Sequence, residues 1–231
     1  MLVSRAATRV NGKLRRKLVF IDAKKAHLNP RCEEDVYVEL PPEAEGGPGM
    51  CGKLNFWLYG FRPAAQAWEE HHSKKFVEAG FVRGNACSVI FHHADRDLTC
   101  AVHGDDFTFC GLEKDLEWIT EKMKTWFEIK VRAILGPDKK DDKEVVILGR
   151  TVGWKDWGIE WEADKKHREL LMERFGFDKK TKSLDQNGDN EVHQDEEWEQ
   201  EPLDKGESTE LRAAAARLNF LSQDSPELQF P

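Results

Sequence analysis

Hydrophobic and polar positions along this chain divide it into short strands and amphipathic helices. The apolar run at 18–21 ends at Asp22 and predicts a buried strand. Apolar residues at spacings of three and four predict helices at 63–80, 113–127, about 164–175 and about 208–221.

A β-hairpin is predicted where the apolar runs 98–103 and 107–110 flank Gly104, Asp105 and Asp106. Gly104 tolerates the backbone angles of a tight turn. Two adjacent carboxylates are therefore expected at the tip of this hairpin.

The order of the predicted elements indicates the fold class. A further single strand is predicted at 145–152, with a hairpin partner at 157–161. The succession of strand, helix, strand, strand, helix and strand predicts an α+β fold, in which an antiparallel sheet has helices packed on one face.

The composition suits one packed domain, or one domain with a tail, in 231 residues with 39% hydrophobic and 34% charged residues. No apolar run reaches the roughly 18 residues of a membrane span, and the N-terminus lacks a signal-peptide pattern. The five cysteines include no CxxC pair, which favours reduced thiols over disulfides or structural zinc. We therefore expect an intracellular protein, in the cytoplasm or the nucleus, without a membrane partner.

Acidic residues are concentrated in one segment. The net charge is −8, and residues 185–207 hold ten acidic residues and one Lys. A flexible acidic linker is predicted here, and the rest of the chain is near neutral. Residues 185–196 partly match a calcium loop, although Asn190 stands where Gly is expected. A calcium-responsive interaction module is therefore a third hypothesis of function.

Asp22, Asp105 and Asp106 form a candidate metal site if the early strand lies beside the hairpin. Phosphoryl transfer uses carboxylates that bridge two divalent cations about 3.5–4 Å apart, and Mg²⁺ prefers oxygen ligands. From the residues alone, two simpler interpretations stay open. The Asp pair is also typical of a solvated turn, and Asp22 of a residue that ends a strand.

Three segments carry a family resemblance, and they occur in the family's order. Residues 22–29 (DAKKAHLN) are similar to the motif DVKTAFLN, and residues 103–106 (HGDD) stand where the family has YVDD. Residues 56–68 match the motif KxLYGLKQAPRAW at Leu58, Tyr59, Gly60, Ala64, Ala67 and Trp68. Over roughly residues 18–221 the chain resembles the reverse transcriptase of copia-type LTR retrotransposon polyproteins.

The resemblance implies the palm domain of an RNA-directed DNA polymerase, followed by a thumb- or connection-like segment. It implies catalysis with Mg²⁺ or Mn²⁺ bound by Asp22, Asp105 and Asp106. The implied nucleotide-binding residues are Ala23, Lys24, His27, Tyr59, Gly60 and Arg62. Similarity to a family segment near the primer implies primer contacts by Leu148 and Gly149. The implied partners are an RNA or DNA template-primer, deoxynucleoside triphosphates and other parts of a polyprotein.

Several positions depart from the family pattern. His27 replaces an aromatic residue beside the ribose, and His103-Gly104 replaces Tyr-Val before the Asp pair. We also expect an N-terminal truncation that removes most of the fingers region. The leading hypothesis is polymerase activity. Its alternative is a catalytically inactive retrotransposon remnant that folds as a palm and at most binds nucleic acid.

The predicted domain organisation follows from the same resemblance. It comprises a remnant of the fingers (1–17), the palm (18–162), a thumb-like helix (163–184), the acidic flexible linker (185–207), and a C-terminal helix with a tail (208–231).

Overall fold

A computed structural model describes residues 1–10, 13–14, 16–44, 49–178, 180–182, 202–225 and 228. The chain divides into two compact units, Met1–Lys143 with Trp154–Ile159 and Glu144–Gly153 with Glu160–Pro231. The segment 185–196, for which calcium binding is a hypothesis, lies outside the described residues. Within them, no helix is both long enough and apolar enough to cross a membrane.

The helices and strands are as follows. The helices are α1 (Leu2–Ala7), α2 (Arg62–Glu78), α3 (Glu113–Trp126), α4 (Lys165–Arg174) and α5 (Lys205–Ser222), with a 3-10 turn at Ala26–Leu28. The strands are β1 (Arg9–Val10), β2 (Lys13–Leu14), β3 (Lys17–Ala23), β4 (Tyr37–Glu39), β5 (Cys51–Lys53), β6 (Val82–Arg83), β7 (Ile90–His93), β8 (Leu98–His103), β9 (Asp106–Gly111), β10 (Ile129–Leu135), β11 (Glu144–Ile147), β12 (Arg150–Lys155) and β13 (Gly158–Glu162). The four predicted helices agree with α2 to α5 to within three residues at each end.

The central sheet of the first unit has the strand order β10-β3-β9-β8-β7-β6, and all neighbouring pairs are antiparallel. β3 lies between β9 and β10, because its residues 18–21 are apolar and buried on both faces. The predicted hairpin of β8 and β9 is present.

α2 and α3 pack against one face of this sheet and bury the main hydrophobic core. The helices contribute Trp68, Phe76, Leu116, Ile119 and Met123. The sheet contributes alternate residues of its inner strands, including Val19, Ile21, Cys100, Val102, Phe107 and Phe109. Side chains alternate between the faces of a strand, so Asp22 lies on the face away from these helices. The predicted α+β class with an antiparallel sheet is confirmed, and α2 and α3 lie on one face of that sheet.

The face that carries Asp22 also has buried residues farther back along β3. Leu18 and Phe20 are buried there, and the short helix α1 contacts β3, β8 and β9. Arg5 of α1 and Arg16 both form ion pairs with Asp97. These contacts fix α1 to the sheet at the end remote from Asp22.

The single strand predicted at 145–152 is wrong, because this segment forms the hairpin of β11 and β12. Leu148 and Gly149 are its turn, with φ of 49° and 76°. Positive φ at both central residues is the requirement of a type I′ turn, which favours Asn-Gly or Gly-Gly. Leu148 is an uncommon residue for that position, so no residue before the glycine signals a turn.

The second unit combines this hairpin with two packed helices. Leu171 of α4 packs with Ala214 and Leu221 of α5. α5 begins with a capping box, in which the Asp204 side chain accepts from the Glu207 backbone N–H and the Glu207 side chain accepts from the Asp204 N–H.

A buried lysine stabilises the end of β3 opposite to Asp22. The Lys17 ammonium lies 2.7 Å from Asp138, 2.9 Å from Asp141 and 3.2 Å from Glu113, a group we call the Lys17 cluster. Burial alone would lower the pKa of Lys17, but the three carboxylates outweigh it and hold the pKa above its ordinary value. The lysine is therefore charged, and it neutralises the equally buried Asp141.

We expect Lys17→Met to lower the free energy of unfolding by about 3 kcal/mol, because it leaves Asp141 buried without its counterion. Urea unfolding followed by tryptophan fluorescence measures this. Lys140→Met is the matched control, because Lys140 pairs with Glu113 of the same cluster but is exposed, so little change is expected. Equal losses for the two variants would contradict the assignment.

His72 of α2 is a buried histidine within an aromatic environment. Its ring contacts Trp68, Phe76, Phe91 and Phe107. Its Nδ1 has no hydrogen-bond partner in the part of the chain that the structure describes. Burial lowers the pKa of His72 to about 4, and the charge of Arg83 contributes. The folded protein therefore holds this ring neutral.

The lowered pKa makes stability depend on pH. Above its ordinary pKa His72 is neutral in both the folded and the unfolded chain, so it does not affect stability. As the pH falls below about 6.5, His72 gains a proton in the unfolded chain but not in the folded one. The free energy of unfolding therefore falls by about 2–3 kcal/mol by pH 4. Replacing the ring by His72→Phe should remove this part of the pH dependence in urea unfolding. His71→Phe, at a half-buried ring, should remove less; parallel curves for His72→Phe and the wild type would contradict the prediction.

Candidate active site

β3 and β9 place Asp22 and Asp106 directly opposite each other. The antiparallel register pairs Asp22 with Asp106, and side chains opposite each other in such a pair have Cβ atoms about 4.5–5.5 Å apart. The backbone N–H of Ala23 donates to the carbonyl oxygen of Asp105 at 2.8 Å. The structure thus brings the end of the early strand to the tip of the hairpin.

The hairpin tip consists of Gly104 and Asp105, since His103 pairs with Asp106. Gly104 has a φ of 63°, and a type II′ turn favours Gly at this first central position. The indole N–H of Trp68 in α2 donates to the carbonyl oxygen of Gly104 at 2.9 Å. This hydrogen bond fixes the tip to the helix, so the carboxylates are held from two sides.

Arg132 of β10 belongs to the site, and the sequence analysis missed it. Its guanidinium donates to Asp22 Oδ1 at 2.9 Å and lies 3.4 Å from Asp106 Oδ1. The register of β10 against β3 shifts between Val131 and Ala133, which leaves Arg132 as the bulged residue. No sequence pattern marks this bulge; the available cue was a basic residue at a polar position of a strand.

The Asp106 carboxyl shows the electrostatic effect of this arrangement. Burial raises the pKa of Asp106; Arg132 opposes that rise, while the charges of Asp105 and Asp22 add to it. Its Oδ1 is buried and has no hydrogen-bond partner among the described residues, although the Arg132 guanidinium is near. A cation that takes oxygen ligands would satisfy this atom, so the residues fit a divalent metal ion.

The three predicted metal ligands differ in burial and in how close they lie to one another. Asp22 and Asp106 are half-buried neighbours, whereas Asp105 is exposed on the turn. Among the described residues, three acidic side chains have ligand atoms within 4.8 Å of one another only in the Lys17 cluster. The lysine ammonium lies among those carboxylates. The structure therefore brings Asp22 and Asp106 together more closely than it gathers all three.

The comparison with protein families decides the relationship. A family profile described as reverse transcriptase (RNA-dependent DNA polymerase) matches residues 6–137, more than half of the chain. The chain belongs to this family. A comparison with curated proteins found no match. Reverse transcriptases act on a nucleic-acid template-primer and nucleotides and generally use divalent metal ions, and the matched range contains all three carboxylates.

The first and second motifs of this family member meet at an aromatic contact. The rings of His27 and Tyr59 have centroids 4.5 Å apart. His27 lies in the 3-10 turn that follows Lys25, whose φ is 53°. Gly60 follows Tyr59 with a φ of 90°, and the exposed Arg62 begins α2. The predicted roles of these residues at the nucleotide stay predictions.

The remaining predicted site residues have different surroundings. Ala23 is buried, and the exposed Lys24 forms an ion pair with Glu128 at 2.7 Å. Leu148 and Gly149 lie at the hairpin tip of the second unit, outside the matched range. Their contact with a primer rests on the resemblance and also stays a prediction.

Gly104→Ala should lower the free energy of unfolding by about 1–2 kcal/mol, because a Cβ makes the left-handed backbone unfavourable. No atom of the described residues outside the turn lies within 4 Å of the added Cβ, so the loss measures backbone strain. Gly158→Ala is the matched control, because its Cβ also has open space within the described part of the chain and its φ is outside the left-handed region. Urea unfolding of both variants tests this, and a comparable loss at Gly158 would contradict it.

Proposed function

We propose that the chain is the palm of a copia-type reverse transcriptase that catalyses template-directed nucleotidyl transfer with two divalent cations, Mg²⁺ or Mn²⁺. Asp22, Asp105 and Asp106 are the proposed ligands and catalytic residues. The observation that carries the proposal is the register of β3 and β9, which sets Asp22 opposite Asp106 and joins the end of β3 to the backbone of Asp105. Because deoxynucleoside triphosphates are made inside cells, we also propose an intracellular site of action.

The proposed reaction joins a nucleotide to a primer. The terminal 3′-hydroxyl oxygen of the primer attacks the α-phosphorus of the triphosphate and its proton passes to water. The bond from the α-phosphorus to the bridging oxygen breaks, and pyrophosphate leaves. Bound divalent cations supply stabilisation of the charge on the attacking and leaving oxygens. The chain contributes two half-buried carboxylates, Asp22 and Asp106, on the sheet face away from α2 and α3, and this placement favours the proposal.

The proposed nucleotide contacts come from the first two motifs. The backbone from Ala23 to Lys24 lies beside the triphosphate, and His27 beside the ribose. Tyr59 and Gly60 contact the template-nucleotide pair, and Arg62 a phosphate. Support comes from the contact of His27 with Tyr59, which joins the two motifs next to the Asp22 strand end. Leu148 and Gly149 are proposed to approach the primer.

The copia-type assignment has a physical counterpart in α2. The motif residues Ala64 and Trp68 are buried on the same side of that helix, and Trp68 donates to Gly104 of the third motif. The second motif thus supports the hairpin that carries the proposed metal ligands.

The alternative is a catalytically inactive remnant that folds as a palm and binds nucleic acid weakly. Two observations favour it: Asp105 is exposed apart from the other two carboxylates, and the Arg132 guanidinium lies between Asp22 and Asp106. The third hypothesis, a calcium-responsive module, concerns residues 185–196 alone.

Primer extension on a homopolymer template with Mg²⁺ or Mn²⁺ tests the proposal. We expect Asp22→Asn and Asp105→Asn to reduce extension by more than the roughly 10- to 100-fold that loss of outer-shell partners costs a metal site. Asp95→Asn, in the exposed turn between β7 and β8 of the same sheet, is the control and should retain activity.

The outcome separates the two main hypotheses. If the wild-type protein extends a primer no better than Asp105→Asn does, catalysis by this chain is excluded. Fluorescence anisotropy with a labelled template-primer then tests the remnant hypothesis. Under that hypothesis we expect weak binding of nucleic acid that persists in Asp22→Asn and Asp105→Asn.

A further inference from the structure

Arg132, which contacts the carboxylates, is the unpaired residue at an irregularity in β10. The strand pairs Lys130 with Asp22 and Val131 with Ile21, but the next paired residue is Ala133. The extra residue of a β-bulge bends the strand and redirects a side chain. Arg132 follows Lys130, the partner of Asp22, by two residues, so strand alternation places its guanidinium on the same sheet face as Asp22.

The two contacts of Arg132 are unequal. The guanidinium forms a hydrogen bond to Asp22 at 2.9 Å, whereas it approaches Asp106 only as an ion pair at 3.4 Å. The buried Oδ1 of Asp106 therefore lacks a hydrogen bond within the described part of the chain. The arrangement neutralises charge at both carboxylates but leaves one oxygen available to a better partner.

The position of Arg132 also makes it replaceable. Its side chain is 39% exposed, and exposed ion pairs contribute little free energy because water screens them. A guanidinium does not lose its proton in a protein, so it is removed from the carboxylates only by rotation into solvent. A divalent cation carries twice the charge of the guanidinium and takes oxygen ligands directly. A metal ion and the Arg132 guanidinium bound to the same carboxylates would repel each other.

We propose that Arg132 is a displaceable internal counterion, which holds Asp22 and Asp106 together before metal binding and must leave them when a divalent cation binds. It is a positioning residue that acts through the two carboxylates. The inference rests on the proposed function, since it takes Asp22 and Asp106 as the metal ligands. Its consequence is that the protein binds metal less tightly than its carboxylates alone would allow.

Mn²⁺ binding to the full chain, measured from the electron paramagnetic resonance signal of the free ion at neutral pH without nucleotide or nucleic acid, tests this inference. Arg132→Leu removes the competing charge, and we expect it to lower the Mn²⁺ dissociation constant about five- to tenfold. Arg132→Lys keeps a charge without the planar fork and should lie between this variant and the wild type. Asp22→Asn should abolish the binding that Arg132→Leu strengthens.

The matched control is Arg83→Leu. Arg83 is also strand-borne, its side chain is 36% exposed, and it forms an ion pair with Glu69 away from the carboxylates. It should leave the dissociation constant unchanged. Thermal unfolding gives a second measurement: without metal Arg132→Leu should unfold at a lower temperature than the wild type, and Mn²⁺ should raise that temperature more in the variant.

The outcomes distinguish this inference from the proposed function. If the wild type binds Mn²⁺ through Asp22 but Arg132→Leu binds it equally or more weakly, only the role of Arg132 is overturned. If neither protein binds Mn²⁺, the metal site and the inference both fail. If Arg132→Leu strengthens binding and no variant extends a primer, the inference stands and the polymerase proposal fails.

Discussion

The antiparallel pairing of β3 with β9 is the constraint on which the rest of this structure depends. It places the one acidic residue of the early strand opposite the first residue after the hairpin turn. The pairing is strongly specified because residues 18–21 are buried on both faces. A shift of one residue would move every side chain to the other face of the sheet and direct Asp22 into the core of α2 and α3.

The carboxylates that this pairing brings together repel one another, and the surrounding structure compensates locally. Trp68 fixes the backbone of the turn, and the Arg132 guanidinium supplies a positive charge between two strands. At the other end of β3 the buried Lys17 performs the same compensation for a different acidic group. The two ends differ in burial: the Lys17 side chain is enclosed, whereas the Arg132 side chain is partly exposed to solvent.

Sequence reasoning succeeded where a local pattern has a local consequence. The spacing of apolar residues predicted α2 to α5, and Gly104 between two apolar runs predicted the hairpin of β8 and β9. It failed at the turn of Leu148 and Gly149, because a leucine with positive φ is held by its surroundings and not by its own preference. It also failed at Arg132, because a bulge arises from the pairing of two strands that are distant in sequence.

The sequence by itself determined the α+β class and, through its three motifs, the membership of the reverse transcriptase family, and it marked three carboxylates as candidate metal ligands. Those features depend on residue identity and on spacing within single segments. Only the tertiary structure decided that Asp22 faces Asp106, that Asp105 stands apart on the exposed turn, and that a guanidinium lies between the two paired acids. Each of these features depends on strand register. The separate strands are compatible with several alignments, and burial of the whole sheet selects one of them.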